Sequence, residues 1–358
     1  MEGSKFAWPS TDAGSGGIGL IMLPENISNC IGRNLHLLNN HPICLIKQRI
    51  VNILLDTLHF EIFDDINPIV STQQNFDDLL IPSDHVSRRV SDTFYLDNST
   101  VLRTHTSAHQ TTFLKQGVEK FIVVGDVYRR DSVDKFHYPV FHQMEAVALF
   151  DSRDDALSAL NNIIDKLIAS LFPGATYKWI DSYFPFTQPS YEVEIEWDNK
   201  LVEVLGCGLI HQDILKNCGI NKHGFAFGLG LERLAMILYN IPDIRLFWTT
   251  DTRFLSQFDN GDTLFKPYSN QPVCYKDISF WISPTYEENH FFEICRSMSN
   301  DLIEDITLKD EFTKHGKTSK CYRISYRSID KTLTNADMDK IQSGIRDALE
   351  QTLGVTLR

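Results

Sequence analysis

The stretch "YEVEIEW" at 191–197 alternates without a break. Glu192, Glu194 and Glu196 fall on one face, and Tyr191, Val193, Ile195 and Trp197 on the other. Successive side chains of a strand point to opposite faces, so this is a strand with one wet and one buried face. Such strands belong to antiparallel sheets. Strands of a doubly wound parallel sheet are covered on both faces and read as continuous apolar runs. "HQMEAVALF" (142–150) alternates in the same way, with Gln143, Glu145, Val147 and Leu149 sharing a face, and "FIVV" (121–124) reads as a buried strand. Two segments with apolar residues at helical spacing frame these strands. They are "HPICLIKQRIVNILLDTL" (41–58), with Pro42 near its start, and "DDALSALNNIIDKLIASLF" (154–172), stopped by Pro173-Gly174. The order predicts an α+β fold, an antiparallel sheet flanked by helices.

"GFAFGLGLERLAMIL" (224–238) carries a G-x-G step ahead of a helical run. A dinucleotide-binding turn needs a third small residue three positions after its second Gly, for close helix–strand packing. That position here is Arg233, and no βαβ pattern opens the chain. The dehydrogenase reading fails, and the Arg at the helix start needs another explanation.

At 358 residues the chain is long enough for two domains. Residues 1–34, with "DAGSGGIG", read as a flexible lead without an Arg-rich or secretory pattern, and 35–250 as the first domain. The polar stretch 251–270 reads as a linker. From 271 to 358 the pattern is strand 276–282, helix 287–302, strand 304–312, strand 319–327 and helix 334–354. That βαββα order predicts a ferredoxin-like small domain. No apolar run approaches the ~20 residues of a membrane span. Net charge is −13, which argues against a surface that binds nucleic acid throughout. A basic cluster of Lys314, Lys317, Lys320, Arg323, Arg327 and Lys331 stands out against it, either a solvated face or a local phosphate-binding patch. The seven Cys contain no C-x-x-C, so neither a zinc site nor a disulfide framework is readable.

Four polar clusters can carry chemistry. "RTHTSAHQ" supplies His105, Ser107, His109 and Gln110, residue types that also cap turns. "VYRRD…HYPVFHQMEA" places Arg129 and Asp131 on one arm of a hairpin and Gln143 and Glu145 on the other. An Arg beside a carboxamide and a carboxylate can hold an anion and an amine together, or simply bridge the hairpin. "YFPF" projects Phe184 and Phe186 to one side, as pocket or as core. "LVEVLGCG" puts Glu203 beside two glycines, as a Mg²⁺ ligand or as a solvent-facing strand residue.

Taken in order, "VYRRD…FHQMEAV", "THTSAHQ", "YFPF" and "GFAFGLGLERLAM" resemble the signatures of class II aminoacyl-tRNA synthetases, and within them the single-chain organellar phenylalanyl-tRNA synthetases. "NFDDLLIP" and "IPDIRLFW" extend the resemblance from about Ile31 to Arg358. It implies ATP, Mg²⁺, L-phenylalanine and tRNA(Phe) as ligands, a monomer, a mitochondrial location and no membrane. It implies that Arg129 holds the amino-acid carboxylate and the α-phosphate, and that Arg233 and Phe141 sandwich the adenine. Asp131, Phe136, His137, Tyr138 and Gly230 would complete the ATP site, and Glu203 would support Mg²⁺. His105, Ser107, Ala108, His109, Gln110, Gln143, Met144 and Glu145 would surround the polar end of phenylalanine. Phe184 and Phe186 would meet its ring, and Ala226 and Phe227 would shape the pocket floor. Lys320, Arg323 and Arg327 would contact tRNA from a ferredoxin-like anticodon-binding domain. The chain departs from the family at Val86, where relatives have Pro after His, which bears on the path of that loop. An apolar pocket rejects an added hydroxyl poorly, and no segment is left for an editing domain, so the expectation is that tyrosyl-tRNA is not deacylated.

Overall fold

The computed structural model describes residues 23–197, 200–259, 263–268, 271–328 and 331–358. In chain order the strands of the first domain are β1 (Glu61–Phe63), β2 (Ile69–Ser71), β3 (Thr100–Leu102), β4 (Lys120–Tyr128), β5 (Val140–Phe150), β6 (Tyr177–Ser182), β7 (Thr187–Trp197), β8 (Lys200–Ile210) and β9 (His223–Gly230). Seven of them form one sheet in the order β1-β4-β5-β9-β8-β7-β6, antiparallel except for β1 beside β4. β2 and β3 pair separately.

The alternation that predicts β7 holds. Val193 and Ile195 are fully buried while Glu196 is exposed. The buried face packs against the helices Pro42–Leu55, Arg153–Leu171 and Leu231–Tyr239. Helix starts are fixed locally. The His41 ring accepts from the Ile43 amide ahead of Pro42, and Ser152 Oγ accepts from the Asp155 amide. β5 divides its side chains by parity. Met144, Ala146 and Ala148 enter the helix-side core, while Val147 and Leu149 join Phe121, Val123, Phe76 and Phe113 on the other side. Between those apolar rows the second face carries Gln143 and Glu145, where the functional site lies.

The second domain contains β10 (Cys274–Trp281), β11 (Ile303–Lys314), β12 (Lys317–Tyr326) and β13 (Thr356–Leu357), with the helices Glu288–Ser299 and Asn335–Leu353. The sheet order is β11-β12-β10-β13. The short closing strand β13 completes the βαββα pattern to βαββαβ. It is too short to show a periodicity in sequence.

Three expectations about organisation change. The fold reaches back into the segment read as a lead: Ile27 is fully buried and Cys30 is 5% exposed within the first core, whereas residues 1–22 lie outside the described residues. The stretch read as a linker is anchored, because Phe254, Phe258 and Phe265 are buried in that same core. Its polar composition masks three aromatic anchors. The basic cluster does not make one face. Lys320 lies on the helix-covered side of β12, 3.2 Å from Glu288 and 3.5 Å from Glu311. Arg323 lies on the open side and is paired twice with Asp277, and Arg327 sits past the strand end, 3.4 Å from Glu304. Adjacent positions of a strand point oppositely, and the sheet supplies each cation with a carboxylate.

The two domains meet at the hairpin between β4 and β5. Val133, at its tip, is buried in the core of the second domain. The Ile306 amide donates to the Val133 carbonyl at 2.9 Å, and Arg296 Nη2 donates to the Ser132 carbonyl at 2.9 Å. Tyr138 Oη donates to Asp301 at 3.0 Å, and Arg245 Nη1 donates to the Asp301 carbonyl at 2.8 Å.

Candidate active site

A cavity of about 700 Å³ opens on the second face of the large sheet. Its floor is made by glycines in register. Gly230 of β9 lies opposite Gln143 of β5, Gly228 opposite Glu145, and Gly206 of β8 opposite Gly228. A Cβ on Gly230 would meet nothing within 4 Å, and one on Gly206 would lie 3.0 Å from Phe184 Cζ. The missing side chains therefore leave room above β9 and let the Phe184 ring lie on the backbone of β8.

Around this floor buried polar groups converge with hydrogen-bonding capacity left over. Both ring nitrogens of His105, Gln110 Oε1 and Glu145 Oε2 are shut from solvent and find no hydrogen-bond partner among the described residues, while Gln110 Nε2 donates to Glu145 Oε1 at 3.3 Å. Buried polar atoms are normally satisfied, so a concentration of orphans marks a place for a polar ligand. Burial pushes the Glu145 carboxyl up to about 7, tempered by Ser107. Burial, then the charge of Arg129, pushes His105 down to about 3, so its ring is neutral. The Phe184 and Phe186 rings stack in parallel 5.8 Å apart, and Phe186 lies 6.2 Å from His105. A polar cradle thus adjoins an aromatic wall.

The rest of the cavity is cationic. Arg129 leaves the end of β4, its Nε donating to the Thr104 carbonyl at 2.7 Å and its guanidinium lying 5.2 Å over the Phe141 ring. Burial lowers its pKa, and Asp131 and Glu203 oppose that. Asp134 organises the hairpin tip by accepting from the amides of Phe136 and His137 and from His137 Nδ1 at 2.7 Å. That bond raises the His137 pKa. Arg233 starts the helix after β9 and lies 3.1 Å from Glu203 Oε2. Its neighbour Glu232, 2% exposed, accepts from the His142 amide at 2.7 Å and bonds His142 Nδ1 at 2.6 Å. Glu232 thereby ties the start of the Arg233 helix to the strand of Phe141 and Gln143.

The structure brings most of the expected site together. His105, Ser107, Gln143, Glu145, Phe184, Phe186, Ala226, Arg129, Asp131, His137, Phe141, Glu203, Gly230 and Arg233 all line the one cavity. Seven placements differ from expectation. Gln110, 1% exposed, does not border the cavity and reaches it only through its bond to Glu145. Ala108 and Met144 are fully buried in the cores, and His109 turns away to bond Arg103 at 2.9 Å. Phe227 borders the cavity, but its ring alternates with Ala226 and belongs to the helix-side core. Phe136, at the rim, is 68% exposed. Tyr138 borders the cavity, but its hydroxyl is spent on Asp301. In the strands parity sends Met144 and the Phe227 ring to the other face, whereas Ala108 and His109 belong to a 3-10 turn and Phe136 and Tyr138 to the hairpin loop. Glu232, Tyr183, Asp92, Leu205 and Asn289 also border the cavity; Tyr183, Leu205 and Glu232 stand inside quoted motifs without being singled out there, and Asp92 and Asn289 carry no sequence signal. At Val86 the chain forms a 3-10 turn, Val86–Arg88, capped by His85, whose ring accepts from the Ser87 amide.

Fold and cavity together define a class II aminoacyl-tRNA synthetase. Residues 26–258 match the model of the tRNA synthetases class II core domain (F), and residues 269–358 match the ferredoxin-fold anticodon binding domain. The chain belongs to the family of single-chain organellar phenylalanine–tRNA ligases. It is 49% identical to the chloroplastic/mitochondrial phenylalanine–tRNA ligase of Arabidopsis thaliana, over 94% of this chain and 82% of that protein. It is 42% identical to the mitochondrial enzyme of Dictyostelium discoideum, over 99% and 94%, and 41% identical to that of Mus musculus, over 93% and 85%. Among the described residues no helix is long and apolar enough to cross a membrane.

Proposed function

We propose that this chain activates L-phenylalanine with ATP and transfers it to tRNA(Phe), as a single chain in an organelle of the mitochondrial type. The observation that supports this best is the set of orphaned acceptors around Glu145 beside the Phe184–Phe186 stack. An ammonium has three N–H donors and no acceptor. Glu145 Oε2 would accept from it while Gln110 Nε2 holds the other carboxylate oxygen, and the aromatic side chain would run along the stack, where ring contacts add ~0.5–1.5 kcal/mol beyond burial.

Arg129 then stands where the amino-acid carboxylate meets the α-phosphate. It neutralises both anions as the carboxylate oxygen attacks phosphorus and pyrophosphate leaves. A planar, always-charged fork suits that role, and preorganised charge is the main resource in such a displacement. Phe141 offers a face to the adenine. Arg233 would exchange Glu203 for the triphosphate, at little cost because the pair is half-exposed. Glu203 is an accessible carboxylate on the cavity wall, a hard oxygen donor of the kind Mg²⁺ uses together with phosphates and water. Held there, Mg²⁺ would supply charge neutralisation of the phosphates. His137, kept protonated longer by Asp134, would add a donor at the hairpin tip.

ATP–pyrophosphate exchange across the twenty amino acids tests the reading. Exchange that depends on phenylalanine supports it. Exchange with no amino acid, as for a paralogue that only binds, or with a different amino acid overturns it.

A further inference from the structure

Arg103 is 1% exposed and makes an unusually complete set of bonds for a buried cation. Its Nε donates to the Asp126 carbonyl at 2.7 Å, Nη2 to Asp126 Oδ1 at 2.8 Å, and Nη1 to the Ile66 carbonyl at 3.3 Å and to His109 Nε2 at 2.9 Å. Asp126 also accepts from Tyr128 Oη. Removing one partner from such a buried pair leaves an uncompensated charge, so the cluster behaves as a unit.

Backbone room has been made for it. A Cβ on Gly125 would lie 2.0 Å from Arg103 Nη2 and 2.9 Å from Cζ, and Gly125 lies opposite Gln143 in the sheet. The guanidinium therefore occupies the position a side chain would take next to the polar cradle. His109 is the last residue of the 3-10 turn Thr106–His109, which carries Ser107 and leads directly into Gln110. Nε2 accepts from Arg103, so the ring is neutral with its proton on Nδ1, consistent with a pKa lowered to about 4 by burial and by Arg103.

We propose that Arg103 is a positioning residue for amino-acid recognition: through His109 it fixes the turn bearing Ser107 and Gln110 at the distance from Glu145 that the substrate ammonium requires. Neither Arg103 nor His109 borders the cavity, and their side chains are spent on each other and on Asp126. This rests on the functional reading above.

The test separates the acceptor from the packing. His109→Gln keeps an acceptor within reach of Arg103, and His109→Leu removes it at similar bulk. Gly125→Ala pushes the guanidinium aside from the other direction. In ATP–pyrophosphate exchange with phenylalanine, His109→Leu and Gly125→Ala are expected to raise KM for phenylalanine about tenfold or more. KM for ATP should stay within about twofold, and His109→Gln should restore most of the loss. Equal rises in both KM values, or an unchanged KM for phenylalanine in folded His109→Leu, overturns the positioning role. So does failure of His109→Gln to rescue. A wild-type chain that exchanges with no phenylalanine brings down the functional reading and this inference with it, and is distinguishable because it needs no variant.

Discussion

Arg233 Nη1 and Glu203 Oε2 lie 3.1 Å apart at the cavity, joining the helix after β9 to β8. Both side chains are nearly half exposed, at 49% and 46%, so the pair contributes little to stability. Its members are the cation and the carboxylate that a metal–triphosphate would separate. Glu203→Gln should therefore leave the melting temperature within about 2 °C and shift half-saturation by Mg²⁺ severalfold upward in exchange assays. Arg233→Ala should lower kcat/KM for ATP by about 10²–10³, a loss of the size expected when a preorganised charge contact is removed.

Under the proposed function Glu145 should make phenylalanine binding pH-dependent. Its pKa, raised to about 7 by burial, leaves much of it protonated below neutrality in the free enzyme. The carboxylate is the form that attracts an ammonium, so KM for phenylalanine should fall severalfold from pH 6 to pH 8. Glu145→Gln should flatten that profile and raise KM at pH 8. Stability runs the other way. A carboxyl raised in the folded chain imposes no cost below its unfolded pKa. The cost grows as pH rises and is complete above about 7. Folded Glu145→Gln should then be more stable than wild type at pH 8, by up to about 3 kcal/mol, and not at pH 4. Thermal melts across that range check the sign.

Under the proposed function Ala226 sets the depth of the amino-acid pocket. It is 4% exposed on the cavity side of β9, opposite Val147 of β5 and Gly208 of β8. Ala226→Gly should admit para-substituted phenylalanines. The ratio of exchange with para-chlorophenylalanine to exchange with phenylalanine should rise at least tenfold. Glycine within a strand should cost roughly 1 kcal/mol, visible as a lower melting temperature.

The hairpin that carries Asp131, Phe136 and His137 is held by the second domain through Arg296. Arg296→Met keeps much of the bulk and removes the donors to the Asp131 and Ser132 carbonyls. KM for ATP should rise about three- to tenfold with KM for phenylalanine unchanged, because Glu145 lies well inside the paired part of β5 and Phe184 in the connection between β6 and β7, both away from the hairpin tip. Steady-state exchange with each substrate varied in turn reads both values.

The sequence by itself determined the kind of sheet, since the alternation through Val193 and Ile195 permits only one buried face. It determined the ferredoxin-like pattern of the second domain, and it determined that Arg233 rather than a third glycine follows the G-x-G step. It also named the segments of the site, because hairpin, aromatic and glycine motifs are local. It did not decide which member of each motif faces the cavity. Met144 and the Phe227 ring sit beside lining positions in their strands and point to the other face, because parity is counted from a register that pairing sets, while Ala108 and His109 are turned away by the 3-10 turn that carries them. It did not show that Lys320, Arg323 and Arg327 would each meet a carboxylate from another strand or helix. Nor did it show that Val133 would be buried in the second domain, or that Arg103 would fill the space over Gly125. Those facts depend on residues far apart in the chain arriving at one place. Only the tertiary structure decides that, because burial and pairing are properties of neighbours in space.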